Sequence, residues 1–323
     1  MHVDKEEAAA RELGESRMVV MMDYNFYLMG ITVNKNPSIQ SLRKLTCVDD
    51  SEQVKISQVF HCEGLLLCIL KDDDTMLVVW NPYLGQTRWI QTTTYYPYVY
   101  NYAFGYKNNS PKILRFIEDF SSNIKYHASL CELYDFDTDL WTTLDGNTYW
   151  HAAERNATKI VDHINIISFE FTRESFVPLP PLSLKSLGSR FVSLSLVREE
   201  KVGDLFQTKD MTFLEVDIWI TTKIDAKNVT WSHFFTVNMP YLCDMYLCTT
   251  FLIDEEKKVA VVFNIDIILG NTHINFIGEA GCLRKLKLGE HADKGCWQRV
   301  CSYVPSIVQI KQHKGGKKRE RSD

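Results

Sequence analysis

Apolar residues along this chain come in short runs, separated at regular intervals by polar, Gly-, Asn- or Asp-rich breaks. The pattern starts at Met18. Val19-Val20-Met21-Met22 and Phe26-Tyr27-Leu28-Met29 flank a turn at Asp23-Tyr24-Asn25, and a polar stretch over 34–55, without a strand candidate, follows. Strands are then predicted over 56–60, 64–70, 76–80, 87–91, 101–106, 112–117, 129–136 and 140–144. The second half continues with 147–152, 164–171, 191–198, 203–206, 213–222, 232–237, 248–253, 258–263, 273–278, 282–287 and 305–310. Short strands at even spacing, without helical periodicity, predict an all-β chain. The proline- and serine-rich segment 177–190, VPLPPLSLKSLGSR, is predicted to be a surface loop.

A longer rhythm overlies the strands. WNPYLGQTRW at 80–89, YDFDTDLW at 134–141, FEFTRESF at 169–176, DIWITTKIDAKNVTW at 217–231 and a weaker FIGEAGCLRKL at 276–286 each read as strand, polar turn, strand. Their closing residues, Trp89, Trp141, Phe176, Trp231 and Lys285, lie about 52, 35, 55 and 54 residues apart. A period of roughly 53 residues is filled by four short strands and their turns, the unit that radial repetition stacks into a propeller. Five beats and the 18–33 hairpin predict an all-β, propeller-like ring of about six blades. Strand 302–310 is expected to seal it against 17–22. The 35-residue interval is short by roughly one strand and its loops, so one blade is expected to be shortened just after Leu144-Asp145.

Composition narrows the classes. The chain has 323 residues, 45% apolar and 24% charged, as in a soluble globular protein. A net charge of -5 argues against a general nucleic-acid binder. The longest apolar stretch, 18–33, is broken by Asp23 and Asn25, so no membrane span is expected, and no secretory leader is visible. Nine scattered cysteines suit a reducing compartment, cytoplasmic or nuclear. Residues 1–16 read as an exposed acidic segment with a frayed helix over 4–13, residues 17–312 as the β domain, and residues 313–323 as a disordered basic tail that either signals nuclear import or only solubilises.

Several phrases resemble one family. VVWNPYLGQTRWIQ at 78–91, YAFGYKNNSPKILRF at 102–116, LYDFDTDLW at 133–141, GNTYW at 146–150, SLVREEKVGDLFQ at 195–207, DIWITTKI at 217–224, DEEKKVAVVF at 254–263 and YVPSIVQIKQ at 303–312 are similar to the plant F-box-associated interaction domain, in its crucifer branch. The resemblance runs from about Arg17 to Gln312. It implies a propeller-like β domain that recruits target proteins, preceded in complete members by an F-box that docks the Skp adaptor of a cullin ubiquitin ligase. Two departures are apparent. Residues 1–17 contain no LPxDLxxEIL-like F-box helix, so binding of Skp adaptor and cullin is not expected. The insert between DFDTDLW and GNTYW found in the family is also missing, at the place where the period runs short. The family implies no catalytic residues.

Candidate chemistry is sparse. Cys62/Cys68, Cys243/Cys248 and Cys296/Cys301 miss zinc spacing, so no metal or cofactor is predicted and the thiols read as core. No G-x-S-x-G occurs, and Asp72-Asp73-Asp74 reads as a solvated turn. Trp80, Trp89, Trp141, Trp150, Trp219, Trp231 and Trp297 sit at periodic strand positions that favour blade packing. Tyr95, Tyr96, Tyr98 and Tyr100 fall between two strands, where aromatics serve as protein-binding anchors or pack the loop. The expected function is an interaction module for an unknown target protein, not an enzyme. The alternatives are a propeller enzyme acting on carbohydrate, which needs convergent carboxylates, and a non-functional truncated family member.

Overall fold

The computed structural model describes residues 15–46, 54–73, 75–92, 100–117, 131–143, 166–179, 190–197, 201–209, 213–224, 229–240, 248–266, 271–290 and 299–310. In chain order the strands are β1 (Glu15–Met22), β2 (Asn25–Thr32), β3 (Ser38–Leu45), β4 (Ile56–Cys62), β5 (Leu65–Leu70), β6 (Met76–Asn81), β7 (Gln86–Gln91), β8 (Tyr100–Lys107), β9 (Ser110–Ile117), β10 (Cys131–Asp135) and β11 (Leu140–Thr143). They continue with β12 (Ile166–Glu170), β13 (Ser175–Leu179), β14 (Arg190–Val197), β15 (Lys201–Lys209), β16 (Phe213–Ile224), β17 (Val229–Pro240), β18 (Cys248–Asp254), β19 (Val259–Asp266), β20 (Asn271–Gly278), β21 (Gly281–Glu290) and β22 (Arg299–Ser302). No helix occurs among the described residues.

The strands form five four-stranded sheets and one two-stranded sheet. Four of the five are simple meanders, β4–β7, β8–β11, β14–β17 and β18–β21, and the fifth has the order β22-β1-β2-β3. The expectation of about six four-stranded blades is therefore corrected to five. Among the described residues the FEFTRESF phrase builds the β12–β13 hairpin, because a turn phrase dictates a hairpin but not the strands that flank it. The shortening expected just after Leu144-Asp145 falls outside the described residues. Trp141 lies in the complete β8–β11 sheet, while Gly146, Tyr149 and Trp150 lie outside the described residues.

Two further expectations change. The polar stretch 34–55 contains β3, whose side chains are almost all exposed, so its sequence lacks the alternation that betrays a half-buried strand. The sealing strand is β22, paired antiparallel with β1 from Met18↔Ser302 to Met21↔Arg299, and Tyr303 N donates to Arg17 O. Residues 303–310, expected as its continuation, make no ladder. The predicted loop over 177–190 begins inside β13 and ends at the start of β14, and 180–189 fall outside the described residues. So do the segments 1–14 and 311–323.

The repeated phrases have a common local cause. In β6–β7, β10–β11, β12–β13 and β18–β19 a four-residue turn ends in a left-handed residue: Gly85, Asp139, Glu174 and Lys258. Asn81, Asp135 and Asp254 close three of these turns by accepting backbone N–H bonds from Tyr83, Asp137 and Lys257. Tighter two-residue turns, Asp23-Tyr24, Glu63-Gly64 and Asn108-Asn109, have positive φ at both positions, which matches the twist of the flanking strands.

The chain divides into two compact units. The first contains residues 1–45, 149–168 and 176–303. Its β18–β21 sheet is buried on both faces. Val259, Val261, Phe263, Ile274 and Phe276 pack with Met18, Val20, Met29 and Ile31 of β1 and β2. Ala260, Val262, Ile277 and Phe251 pack with Leu205, Val216, Ile218, Phe235 and Val237 of β15–β17. Alternate residues of β19 thus serve two cores, and each buried aliphatic or Phe side chain is worth roughly 1.5–3 kcal/mol. The second unit contains residues 46–148, 169–175 and 304–323. Leu65, Leu67, Ile69, Leu77, Val79 and Ile90 of β5–β7 face Tyr102, Ile113, Tyr134 and Phe136 of β8–β10. Gly105 of β8 lies under the Phe171 ring, where an added Cβ would come within 2.3 Å of Cδ2.

Candidate interaction site

The second unit has two unlike ends. At one lie the short turns 63–64, 82–85, 108–109 and 136–139. At the other lie the 71–75 turn, the end of β7, the start of β8 and the end of β9. The predicted tyrosine loop joins the end of β7 to the start of β8. Tyr95, Tyr96 and Tyr98 lie outside the described residues, and Tyr100 opens β8, its backbone paired with Ile117. The upstream anchor is firm. Thr92 N and Oγ1 both donate to Thr75 O, at 2.8 and 3.1 Å, and Trp141 Nε1 donates to Gln91 O at 2.9 Å. Asp73, in the acidic run there, accepts from Thr75 N and Oγ1.

Along the second unit run buried charges that the sequence reading did not identify, the Arg115 pair near this end and the Arg88 bonds toward the other. Arg115 of β9 lies opposite Glu132 of β10, and its Nε and Nη2 both donate to Glu132 Oε2. The Arg115 guanidinium sits 4.8 Å from the Trp141 ring centre, a cation–π contact. Arg88 of β7 reaches the other sheet, donating to Tyr134 Oη at 2.9 Å, Asp139 Oδ1 at 2.8 Å and Phe136 O at 3.2 Å. Tyr134 in turn donates to Asp139. Burial first, then the Asp139 carboxylate, pushes the Tyr134 hydroxyl pKa up, so it stays a neutral donor. The available signal was alternation: Arg88, Arg115 and Glu132 share strand faces with core residues Ile90, Ile113 and Tyr134. A charge at a core-facing position implies a buried partner.

At the opposite end the C-terminal segment is strapped across the turns of the β4–β7 sheet. Asn81 Nδ2 donates to Ser306 O at 3.0 Å and Val308 O at 2.8 Å, and Gln86 Oε1 accepts from Ile310 N at 2.9 Å. Gly64 is forced here twice: its φ is +79°, and an added Cβ would lie 2.2 Å from Ser306 Cβ. His61 Nε2 accepts from Gly64 N at 3.0 Å, and the ring also bonds the Val304 backbone. Burial pushes the His61 pKa down to about 4, opposed by that Val304 bond.

The remaining candidates resolve as follows. Trp80 is core at 2% exposure, whereas Trp89, on the same hairpin, is 38% exposed, so the expectation of packing holds for one and not the other. Trp141 packs against the second unit's core, Trp231 against Val229, and Trp150 and Trp297 lie outside the described residues. Burial pushes the Cys131 and Cys301 thiols up to about 12, the opposite of an activated nucleophile. Among the described residues no group of three His, Cys, Asp or Glu could hold a metal, and no helix is long and apolar enough to cross a membrane.

Two carboxylates do share a face of the β14–β17 sheet. Asp204 is 2% exposed and burial, then Asp217, raises its pKa to about 7. Its Oδ1 has no hydrogen-bond partner among the described residues. Asp217 accepts from Trp219 Nε1 at 2.9 Å and Thr236 Oγ1 at 2.6 Å, and lies 3.1 Å from His233 Nε2. Glycoside cleavage requires two carboxylates open to a sugar on either side of its bond. One of these is buried and the other is bonded to Trp219, Thr236 and His233.

Sequence relatives place this all-β chain in a family. The chain belongs to the F-box associated beta propeller domain family, which it matches over residues 17–310. It is 55% identical to a putative F-box protein of Arabidopsis thaliana, over 99% of this chain and 85% of that protein. It is 43% identical to an Arabidopsis thaliana F-box/kelch-repeat protein, over 100% of this chain and 83% of that one. A further Arabidopsis thaliana protein, named Peroxiredoxin-2A, is 56% identical over the whole chain, which spans 63% of its length.

Proposed function

We propose that residues 17–310 capture a target protein for a cullin-type ubiquitin ligase and that they do so by surface contact alone, without catalysis. The observation that carries this reading is the family match along the whole β domain, together with the 42–55% identity to F-box proteins. The contact region we assign is the second-unit end where the Tyr95-Tyr96-Tyr98 connection leaves Thr92 and rejoins the chain at Tyr100. Aromatic anchors on a rigid frame are the residues that dominate protein interfaces. The Thr92, Trp141 and Arg115 bonds at that end supply the rigidity. Adaptor docking is not assigned to these strands, since the F-box that docks a Skp adaptor is helical. The site of action is the cytoplasm or nucleus.

The test is quantitative affinity capture from plant extract with wild type and a Tyr95/Tyr96/Tyr98/Tyr100→Ser variant of equal thermal stability. Loss of one or a few specific proteins in the variant supports the reading. An identical set from both, or direct Skp adaptor binding by residues 15–310, counts against it.

A further inference from the structure

The outer strands of two neighbouring sheets in the first unit carry the same tetrapeptide. Leu42-Arg43-Lys44-Leu45 lies on β3 and Leu283-Arg284-Lys285-Leu286 on β21. Both strands are sheet edges, and their sheets share one apolar core. Arg284 Nη1 donates to Pro37 O at 2.6 Å, which ties β21 to the start of β3.

The two copies also share a backbone irregularity. In the β2–β3 register Leu28 pairs with Arg43 and Met29 with Ser41, so Leu42 is the extra residue of a bulge. In the β20–β21 register Phe276 pairs with Arg284 and Ile277 with Cys282, so Leu283 is the extra residue there. Each bulge turns its leucine out of the ladder, leaving Leu42 39% and Leu283 51% exposed. Around them, Lys35, Arg43, Lys44, Arg284, Lys285 and Lys287 are all exposed, and residues 33–45 and 281–289 contain no Asp or Glu. These two basic strand segments belong to a chain of net charge -5.

Charges and bulges on an edge strand already prevent edge-to-edge pairing. Neither purpose requires an exposed leucine at the head of each basic pair. We propose that the β3 and β21 edges together form a docking surface for an acidic, leucine-containing segment of a partner protein. Its carboxylates pair with Arg43, Lys44, Lys285 and Lys287, and its apolar side chains cover Leu42 and Leu283. Leu42 lies five residues beyond Pro37, a span of roughly 17 Å along an extended strand, so a partner segment of about six extended residues bridges both copies. Because the bulges spoil the ladder, recognition runs through side chains rather than by strand addition. A nucleic acid fits less well, since neither copy offers an aromatic face for base stacking.

The test uses the full chain and a fluorescein-labelled peptide, Asp-Asp-Leu-Asp-Glu-Asp-Leu-Asp-Asp, read by anisotropy. Controls are the same peptide with Ser for Leu, phosphatidylserine vesicles and a single-stranded RNA. Binding is expected to weaken steeply as salt is raised. Lys44→Glu and Lys285→Glu are each expected to weaken it by about tenfold, and together to abolish it. Leu42→Ser with Leu283→Ser should reduce the Leu peptide to the level of the Ser peptide. All four side chains are exposed, so thermal midpoints should stay at the wild-type value, and the milder Lys44→Gln and Lys285→Gln should show the same order of effects. No peptide binding, equal binding by the charge-reversed chain, or tighter binding of RNA or vesicles than of the Leu peptide overturns the proposal. None of these variants touches the tyrosine connection, so this result and the target-capture result are independent.

Discussion

The two units join their sheets by different means. In the first, β19 places Val259, Val261 and Phe263 into one apolar core and Ala260 and Val262 into another. In the second, the apolar contact between β4–β7 and β8–β11 is crossed by Arg88, and beside it Arg115 and Glu132 pair within one sheet. Apolar packing tolerates sliding and repacking, whereas a guanidinium shared among Tyr134, Asp139 and a carbonyl has one good geometry. The unit that carries the tyrosine connection is the one whose seam is directionally bonded.

The largest expected effect breaks the apolar side. Phe263→Ala, in a fully buried position, should cost about 3–5 kcal/mol in chemical denaturation, enough to unfold much of the population. On the charged side, Arg115→Met alone removes the guanidinium bonded to Glu132 and should cost about 3 kcal/mol, while Arg115→Met with Glu132→Leu should recover most of the loss. If the double variant is no better than the single, the seam is held by the Trp141 contact rather than by the pair.

The comparison sharpens with pH. Asp204, in the first unit, is held at about 7 against an ordinary 3.8. Its stabilising contribution is full below about pH 4 and is lost as pH rises through about 7. His61, in the second unit, is held at about 4 against 6.5. Its contribution is full above about pH 6.5 and is lost as pH falls through about 4. Urea midpoints should show it: Asp204→Asn raises stability at pH 8 and leaves it unchanged at pH 3.5. His61→Asn flattens the loss of stability between pH 6.5 and 4. A wild-type-like pH slope in Asp204→Asn would show that Asp204 is ionised throughout.

Smaller effects test the strap and the surface. Asn81→Ala removes two bonds to the C-terminal segment and the closure of its own turn, and should cost about 1–3 kcal/mol while speeding amide exchange at Val308 and Ile310. Trp89→Ser should change stability by only about 0.5 kcal/mol, whereas Trp80→Ser, on the same hairpin, should be several times worse.

Much of this architecture is legible in the chain because hairpins are local. The Asn81, Asp135 and Asp254 turns, the two-residue turns and the strand alternation of β19 each follow from a few adjacent residues. The sequence by itself therefore determined the all-β class, the family and most strand positions. What it left open was decided by partners far along the chain. β3 is a strand because β2 pairs with it, although its exposed Gln40, Ser41 and Arg43 show no buried face. The count of four-stranded blades fell from about six to five because a turn phrase specifies two strands, not four. Arg115 and Glu132 are 17 positions apart and Arg88 and Asp139 are 51 apart, so their burial and pairing appear only once β7, β9 and β10 are brought together. Burial and charge pairing depend on three-dimensional neighbours, and tertiary contacts alone assigned the seam, the strap and the twin basic edges.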